Sequence, residues 1–162
     1  MRTMRNLGKY DYIFVDIDGT IIYGFWQKIM HYTWEMFRSD KLSALLMLLQ
    51  EKFKLYSINH KLLYQLIMAD AWYNSKIVFL TVRAPHPSTM KMLRDIMHGI
   101  NFELIEQGSD FGYVTKSNYI KTFKDEGYKC ILIDDDYNNR IIADDYDIDV
   151  LDPTGMYEKK IG

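Results

Sequence analysis

Asp16 and Asp18 stand one residue apart at the end of the apolar run Tyr12-Ile13-Phe14-Val15, and Gly19-Thr20 follow them. Residues two apart on a strand point the same way, so the two carboxylates face one side. Their repulsion is costly there unless a cation or a reacting group sits with them. An aspartate so placed can accept a phosphoryl group as a nucleophile. A second carboxylate two positions on can protonate the leaving oxygen and then activate water. Gly19 lets the backbone turn sharply beside the reacting centre. The competing interpretation is a surface turn, because Asp-Gly is common in turns.

Further groups of the same chemical character follow. Thr81 ends the apolar run Ile77-Val78-Phe79-Leu80; its hydroxyl can donate to a phosphate oxygen, or equally serve as a helix cap or turn residue. Lys116 opens a helical segment, where a cation can neutralise a phosphorylated aspartate. Lys121 and Lys124 compete for that role but lie deeper in the helix. Asp134-Asp135-Asp136 follow Ile131-Leu132-Ile133 directly. A core strand running straight into three acids is poorly explained by solvation and better explained by a hard cation such as Mg²⁺, which takes oxygen ligands from one or two carboxylates, waters and a substrate phosphate. Asp144, Asp145, Asp147 and Asp149 lack that placement and are assigned to the surface. Arg83, two residues after Thr81, can clamp a second phosphate bidentately or form a structural ion pair. His86 either lines the pocket or is simply an exposed loop residue.

These residues need a scaffold that brings them to one edge. Five strands are predicted, at 10–15, 76–80, 101–105, 129–133 and 148–151, alternating with helices near 87–98, 115–126 and 138–144. Near-continuous apolar strands alternating with helices predict a parallel sheet covered on both faces, and such sheets bind ligands at the carboxyl ends of their strands. Roughly sixty residues separate the first two strands, far more than a simple crossover needs. Apolar spacing over 25–37, 41–53 and 59–72 predicts three helices there, a compact cap over 21–74 inserted into a core of 1–20 and 75–162. Its aromatics, Phe53, Tyr64, Trp72 and Tyr73 among them, are expected mainly to hold the cap together.

Composition sets outer bounds. At 162 residues the chain suits one domain with an insertion. A net charge of −2 and a pI near 6.1 do not advertise a nucleic-acid coat or a membrane-surface tail. The single cysteine, Cys130, cannot form an internal disulfide and suits a reducing compartment. With no apolar signal core and no stretch long enough to span a bilayer, the expectation is a cytoplasmic protein without membrane insertion.

Taken in order, Asp16-Ile17-Asp18-Gly19-Thr20, Thr81, Lys116 and Asp134-Asp135 resemble the four motifs of the haloacid dehalogenase superfamily, over nearly the whole chain. The resemblance implies a Rossmann-like α/β sheet of strand order 5-4-1-2-3, a small helical cap, a Mg²⁺ ion and a covalent aspartyl-phosphate. By position, Asp16 would be the nucleophile and Asp18 the general acid/base, with Thr81 and Lys116 holding the phosphoryl oxygens. Gly19, Thr20 and Arg83 would contact substrate. Asp16, Asp134 and Asp135 would bind metal together with Asp18 through its carbonyl. Asp136 blurs the register, so that Asp135/Asp136 is the alternative pair. The order of the motifs weighs against a two-component receiver domain, which carries its phosphoacceptor on a middle strand. Thr81-Val82-Arg83 is similar to the second motif of polynucleotide 3'-phosphatases and some nucleotidases, which implies a nucleotide or a nucleic-acid end as substrate. A sugar or other small-metabolite phosphate, a lipid phosphate and a non-catalytic binding module are the alternatives.

Overall fold

Tyr12–Val15 forms β1, and all four of its residues are buried. Alternation along this strand divides the interior in two. Ile13 and Val15 join Ile77, Phe79, Ile131 and Ile133 in one apolar cluster, while Tyr12 and Phe14 join Val78, Leu80, Cys130 and Leu132 in the other. A strand buried on both faces must lie inside a sheet, and β1 lies at its centre. It pairs in parallel with β4 (Lys76–Thr81) on one side and β6 (Cys130–Ile133) on the other. The outer strands are β5 (Phe102–Glu106) and β7 (Asp149–Leu151), also parallel. The computed structural model describes residues 6–24, 45, 48–83, 85–106 and 113–154.

Helices cover both faces, as an α/β layering requires. On the first face lie α1 (His60–Tyr73), through Leu62, Leu66 and Ala69, and α2 (Pro87–Met97), through Met92, Leu93 and Ile96. Truncating a side chain as enclosed as Leu66 to alanine would cost about 2–5 kcal/mol. On the second face α3 (Tyr113–Asp125) contributes Tyr119, Ile120 and Phe123, and α4 (Tyr137–Asp145) contributes Ala143. Phe123 packs edge-on against Phe14 at 5.4 Å between centroids, so this side is held largely by aromatic contacts. Among the described residues no helix is long and apolar enough to cross a membrane.

One expectation needs correction. The order 5-4-1-2-3 counts no strands within the insertion, yet Ile22–Gly24 (β2) and Tyr56–Ile58 (β3) pair antiparallel as a separate two-stranded sheet. With them counted, the main sheet reads β5-β4-β1-β6-β7. The helix expected over 59–72 is α1, whose apolar side shares one cluster with Ile13 and Val15 of β1. Its aromatics Tyr64, Trp72 and Tyr73 are exposed, as is Phe53. The helix expected over 25–37 lies outside the described residues. Of that expected over 41–53, residues 48–52 are helical.

Candidate active site

The sheet's carboxyl edge collects the acidic residues because the strands end in register. Val15 is level with Ile133 and Phe79. The Asp16 N–H donates to the Ile133 carbonyl at 2.9 Å, and the Asp134 N–H to that of Leu151 at 3.3 Å. Asp16 and Asp134 thus leave adjacent strands at the same height. From α3, Lys116 reaches between them, its Nζ 2.8 Å from Asp16 Oδ1 and 2.9 Å from Asp134 Oδ2. All three side chains are buried. Asp135 completes the group: one carboxylate oxygen from each of Asp16, Asp134 and Asp135 lies within 4.8 Å of the others.

Hydrogen bonds fix this cluster from behind. Asp134 Oδ1 accepts the Asp136 N–H, and Oδ2 accepts the Asn139 amide, both at 2.9 Å. The Arg140 guanidinium donates to the carbonyls of Asp134 and Asp135 at 2.8 and 2.7 Å. Thr20 Oγ1 receives the Asp135 N–H at 3.1 Å and donates to its Oδ1 at 3.2 Å. Gly19 lies under Asp135 with φ +85°, and a Cβ there would fall 2.2 Å from Asp135 Oδ2. Glycine is required both for its backbone conformation and for the space. Its N–H donates to the Ile22 carbonyl at 2.8 Å.

Three carboxylates converge where a single ammonium pairs with two of them, and the electrostatics reflect the shortage of positive charge. Burial pushes Asp16 well above the usual carboxylate range; Lys116 pulls it down, and Asp134 and Asp18 push it up again. Burial, then the charge of Asp134, pushes Asp135 up to about 6. Burial disfavours the Lys116 ammonium, but Asp16 and Asp134 outweigh it and hold the lysine above its ordinary value. Each of these raised carboxyls would be relieved by more positive charge. The donors are oxygens without histidine or cysteine, a set that suits a hard divalent cation of the Mg²⁺ or Ca²⁺ kind rather than zinc.

Asp18 has a different environment. Its carboxylate accepts a bidentate pair from Arg83, Nε to Oδ2 and Nη2 to Oδ1, both at 2.7 Å, and is not one of the three acids that converge. Arg83 does not reach out as a phosphate clamp. It is 5% exposed, and its remaining nitrogen, Nη1, donates to Glu51 and lies 3.4 Å from Thr89 Oγ1. Burial opposes the guanidinium charge, yet Asp18 and Glu51 hold it firmly protonated. Thr81, buried at the end of β4, accepts the Arg83 N–H at 3.1 Å and keeps its own proton to donate.

The alternatives sort themselves by geometry. Asp136 caps α4, accepting the Asn138 N–H at 2.8 Å, so Asp134 and Asp135 are the pair directed at Asp16. Lys121 pairs with Asp125 and Lys124 with Asp147, which leaves Lys116 as the lysine of the cluster. His86 is the exposed cap of α2, its Nδ1 accepting the Ser88 N–H. Asp149 binds the Tyr10 hydroxyl at the start of β7. Asn59 caps α1 and also donates to the Thr20 carbonyl at 3.2 Å; three contributors went unrecognised in the sequence, Asn139, Arg140 and Glu51. Asn139 and Arg140 were accessible in principle, one helical turn beyond the acidic triplet. Glu51 carries no local signal. Compared with models of known protein families, with curated proteins and with solved structures, the chain finds no match.

Proposed function

We propose that this chain is a Mg²⁺-dependent phosphomonoesterase of the haloacid dehalogenase type, working through an aspartyl-phosphate on Asp16. The observation that carries the proposal is the convergence of Asp16, Asp134 and Asp135 at the sheet's carboxyl edge, with the Lys116 ammonium bonded to the first two. A divalent ion held by these three carboxylates, with the Asp18 carbonyl as a further ligand, would draw an anionic phosphate toward an anionic nucleophile. Lys116 holds Asp16 Oδ1 and so orients the carboxylate for in-line attack on phosphorus. As the bond to the leaving oxygen breaks, Asp18, which must enter this step protonated, gives that oxygen its proton and is left as the carboxylate. Water then attacks the phosphorus of the aspartyl-phosphate and surrenders a proton to Asp18, releasing phosphate and restoring the Asp16 carboxylate. Thr81 and Lys116 offer donors to the phosphoryl oxygens. Thr20 and Gly19 act one step back, by seating Asp135.

Arg83 bears on the substrate. A clamp on a second phosphate favours a nucleotide or a polynucleotide 3'-phosphate end, but Arg83 is engaged with Asp18 and Glu51. The nucleotide class therefore stands here on sequence resemblance alone, and small-metabolite phosphates compete with it on equal terms. Phosphate release from mononucleotides, 3'-phosphorylated oligonucleotides and sugar phosphates, with Mg²⁺ and with excess EDTA, tests both parts. Turnover that needs Mg²⁺ is expected. Full turnover in EDTA removes the metal role, and no turnover on any ester leaves a binding module.

A further inference from the structure

Arg83 gives its nitrogens to two acids from distant parts of the chain. The Nε and Nη2 edge goes to Asp18, in the loop after β1; Nη1 goes to Glu51, in helical residues 48–52 that belong to neither sheet. The Arg83 and Glu51 side chains are 3% and 7% exposed. The two acids are treated differently. Both oxygens of Asp18 are bonded, whereas Glu51 Oε2 is buried without a hydrogen-bond partner. A carboxylate retained there with half its capacity unmet is poorly explained as a stabilising device, since buried ion pairs with incomplete hydrogen bonding recover little of their desolvation cost. What Glu51 does supply is a second fixed point for the guanidinium. Without it, Nη1 keeps only the 3.4 Å approach to Thr89, and the guanidinium that grips Asp18 loses its second charged anchor. The segment carrying Glu51 is itself seated closely: a Cβ on Gly24 of β2 would lie 2.1 Å from the Gln50 Oε1, and the Leu55 N–H donates to the Gln50 carbonyl at 2.8 Å.

We infer that Glu51 is a positioning residue for the general acid/base: through Arg83 it sets the orientation of Asp18, so that the insertion takes part in assembling the proton-transfer group. This rests on the phosphatase reading above and adds to it. The property at stake is proton delivery to the leaving oxygen, so the effect must depend on the leaving group. A p-nitrophenolate departs with little help, and an alkoxide requires a proton.

The experiment compares wild type, Glu51→Gln, Arg83→Met and the double variant on p-nitrophenyl phosphate and on an alkyl phosphate, with thermal unfolding of each. Glu51→Gln is nearly isosteric; it removes the charge and exchanges one acceptor oxygen for an NH₂ donor, so that the charged anchor on Arg83 is lost. Expected is a fall of about 10–100-fold in kcat on the alkyl ester, less than about threefold on the nitrophenyl ester, KM little changed, and no further loss when Glu51→Gln is added to Arg83→Met. Equal losses on both esters, or losses that add in the double variant, overturn the role of Glu51 while leaving the phosphatase intact. A wild-type chain inert toward both esters overturns the phosphatase reading and this proposal with it.

Discussion

Two buried cations organise this edge of the sheet, and they do so in opposite ways. Lys116 is a point charge among three carboxylates whose oxygens converge, and the acids around it remain short of positive charge. Arg83 is a planar fork whose three nitrogens are all engaged, two of them by one carboxylate. The first arrangement is suited to take in a cation and an anion together. The second is suited to hold a side chain still. Lysine and arginine are not interchangeable in these places, because a compact ammonium leaves room around itself while a guanidinium fills its plane with fixed bonds.

The largest expected effect comes from removing the acid that Lys116 serves. Asp16→Asn should lower phosphate release by at least about a thousandfold with an unchanged circular dichroism spectrum; retained turnover would break the proposed division between the two cations at its root. Next is Lys116→Met, which strands the two buried carboxylates of Asp16 and Asp134 and should cost about 3–5 kcal/mol in urea unfolding without metal. Millimolar Mg²⁺ should return a larger part of that loss than it adds to wild type. An equal Mg²⁺ effect on both proteins would mean that the cluster does not attract a cation.

Asp135 gives a prediction with a definite sign. Its carboxyl is raised to about 6, above an unfolded value near 3.9, so between roughly pH 4 and 6 the folded state binds more protons and stability falls as pH rises. In EDTA, Asp135→Asn should flatten that slope and gain about 1–2 kcal/mol at pH 7, discounted for partial exposure. A residual slope of the same sign is expected from Asp16, which is raised too. A urea midpoint that instead falls at pH 7 would show that the acid is not strained. Gly19→Ala should have an effect of comparable size. The residue sits at φ +85° beneath the Asp135 carboxylate, so the variant should lose about 1–3 kcal/mol and bind Mg²⁺ more weakly by calorimetry.

The sheet was legible because its signals are local and repeated. Ile77–Leu80 and Ile131–Ile133 are unbroken apolar runs, and each stops on the polar residue that the site uses. The expectation for Lys116 over Lys121 and Lys124 rested on distance along the helix from the strand ends, and the geometry agrees. Asp136 could not be told from its neighbours by type, since a carboxylate caps a helix and ligates a cation with the same oxygens; only its bond to the Asn138 N–H separates the two uses. The hairpin was missed because three-residue strands carry almost no periodicity, and their partners are more than thirty positions apart. Residues 59–72 have the spacing of a helix whichever layer they enter, so nothing local says that α1 belongs under β1. Arg83 is the clearest lesson. Its type indicated a carboxylate or phosphate partner, but its two acids, Asp18 and Glu51, lie 65 and 32 positions away in sequence, and nothing local names them.

The short antiparallel sheet has one more consequence. Gly24 and Tyr56 are cross-strand neighbours, so whatever lies between them begins and ends at a single clamp. Closing a loop on such a clamp changes only slowly in free energy with loop length. The length of this stretch can therefore vary at little cost to the five parallel strands, so long as Glu51 is still delivered to Arg83.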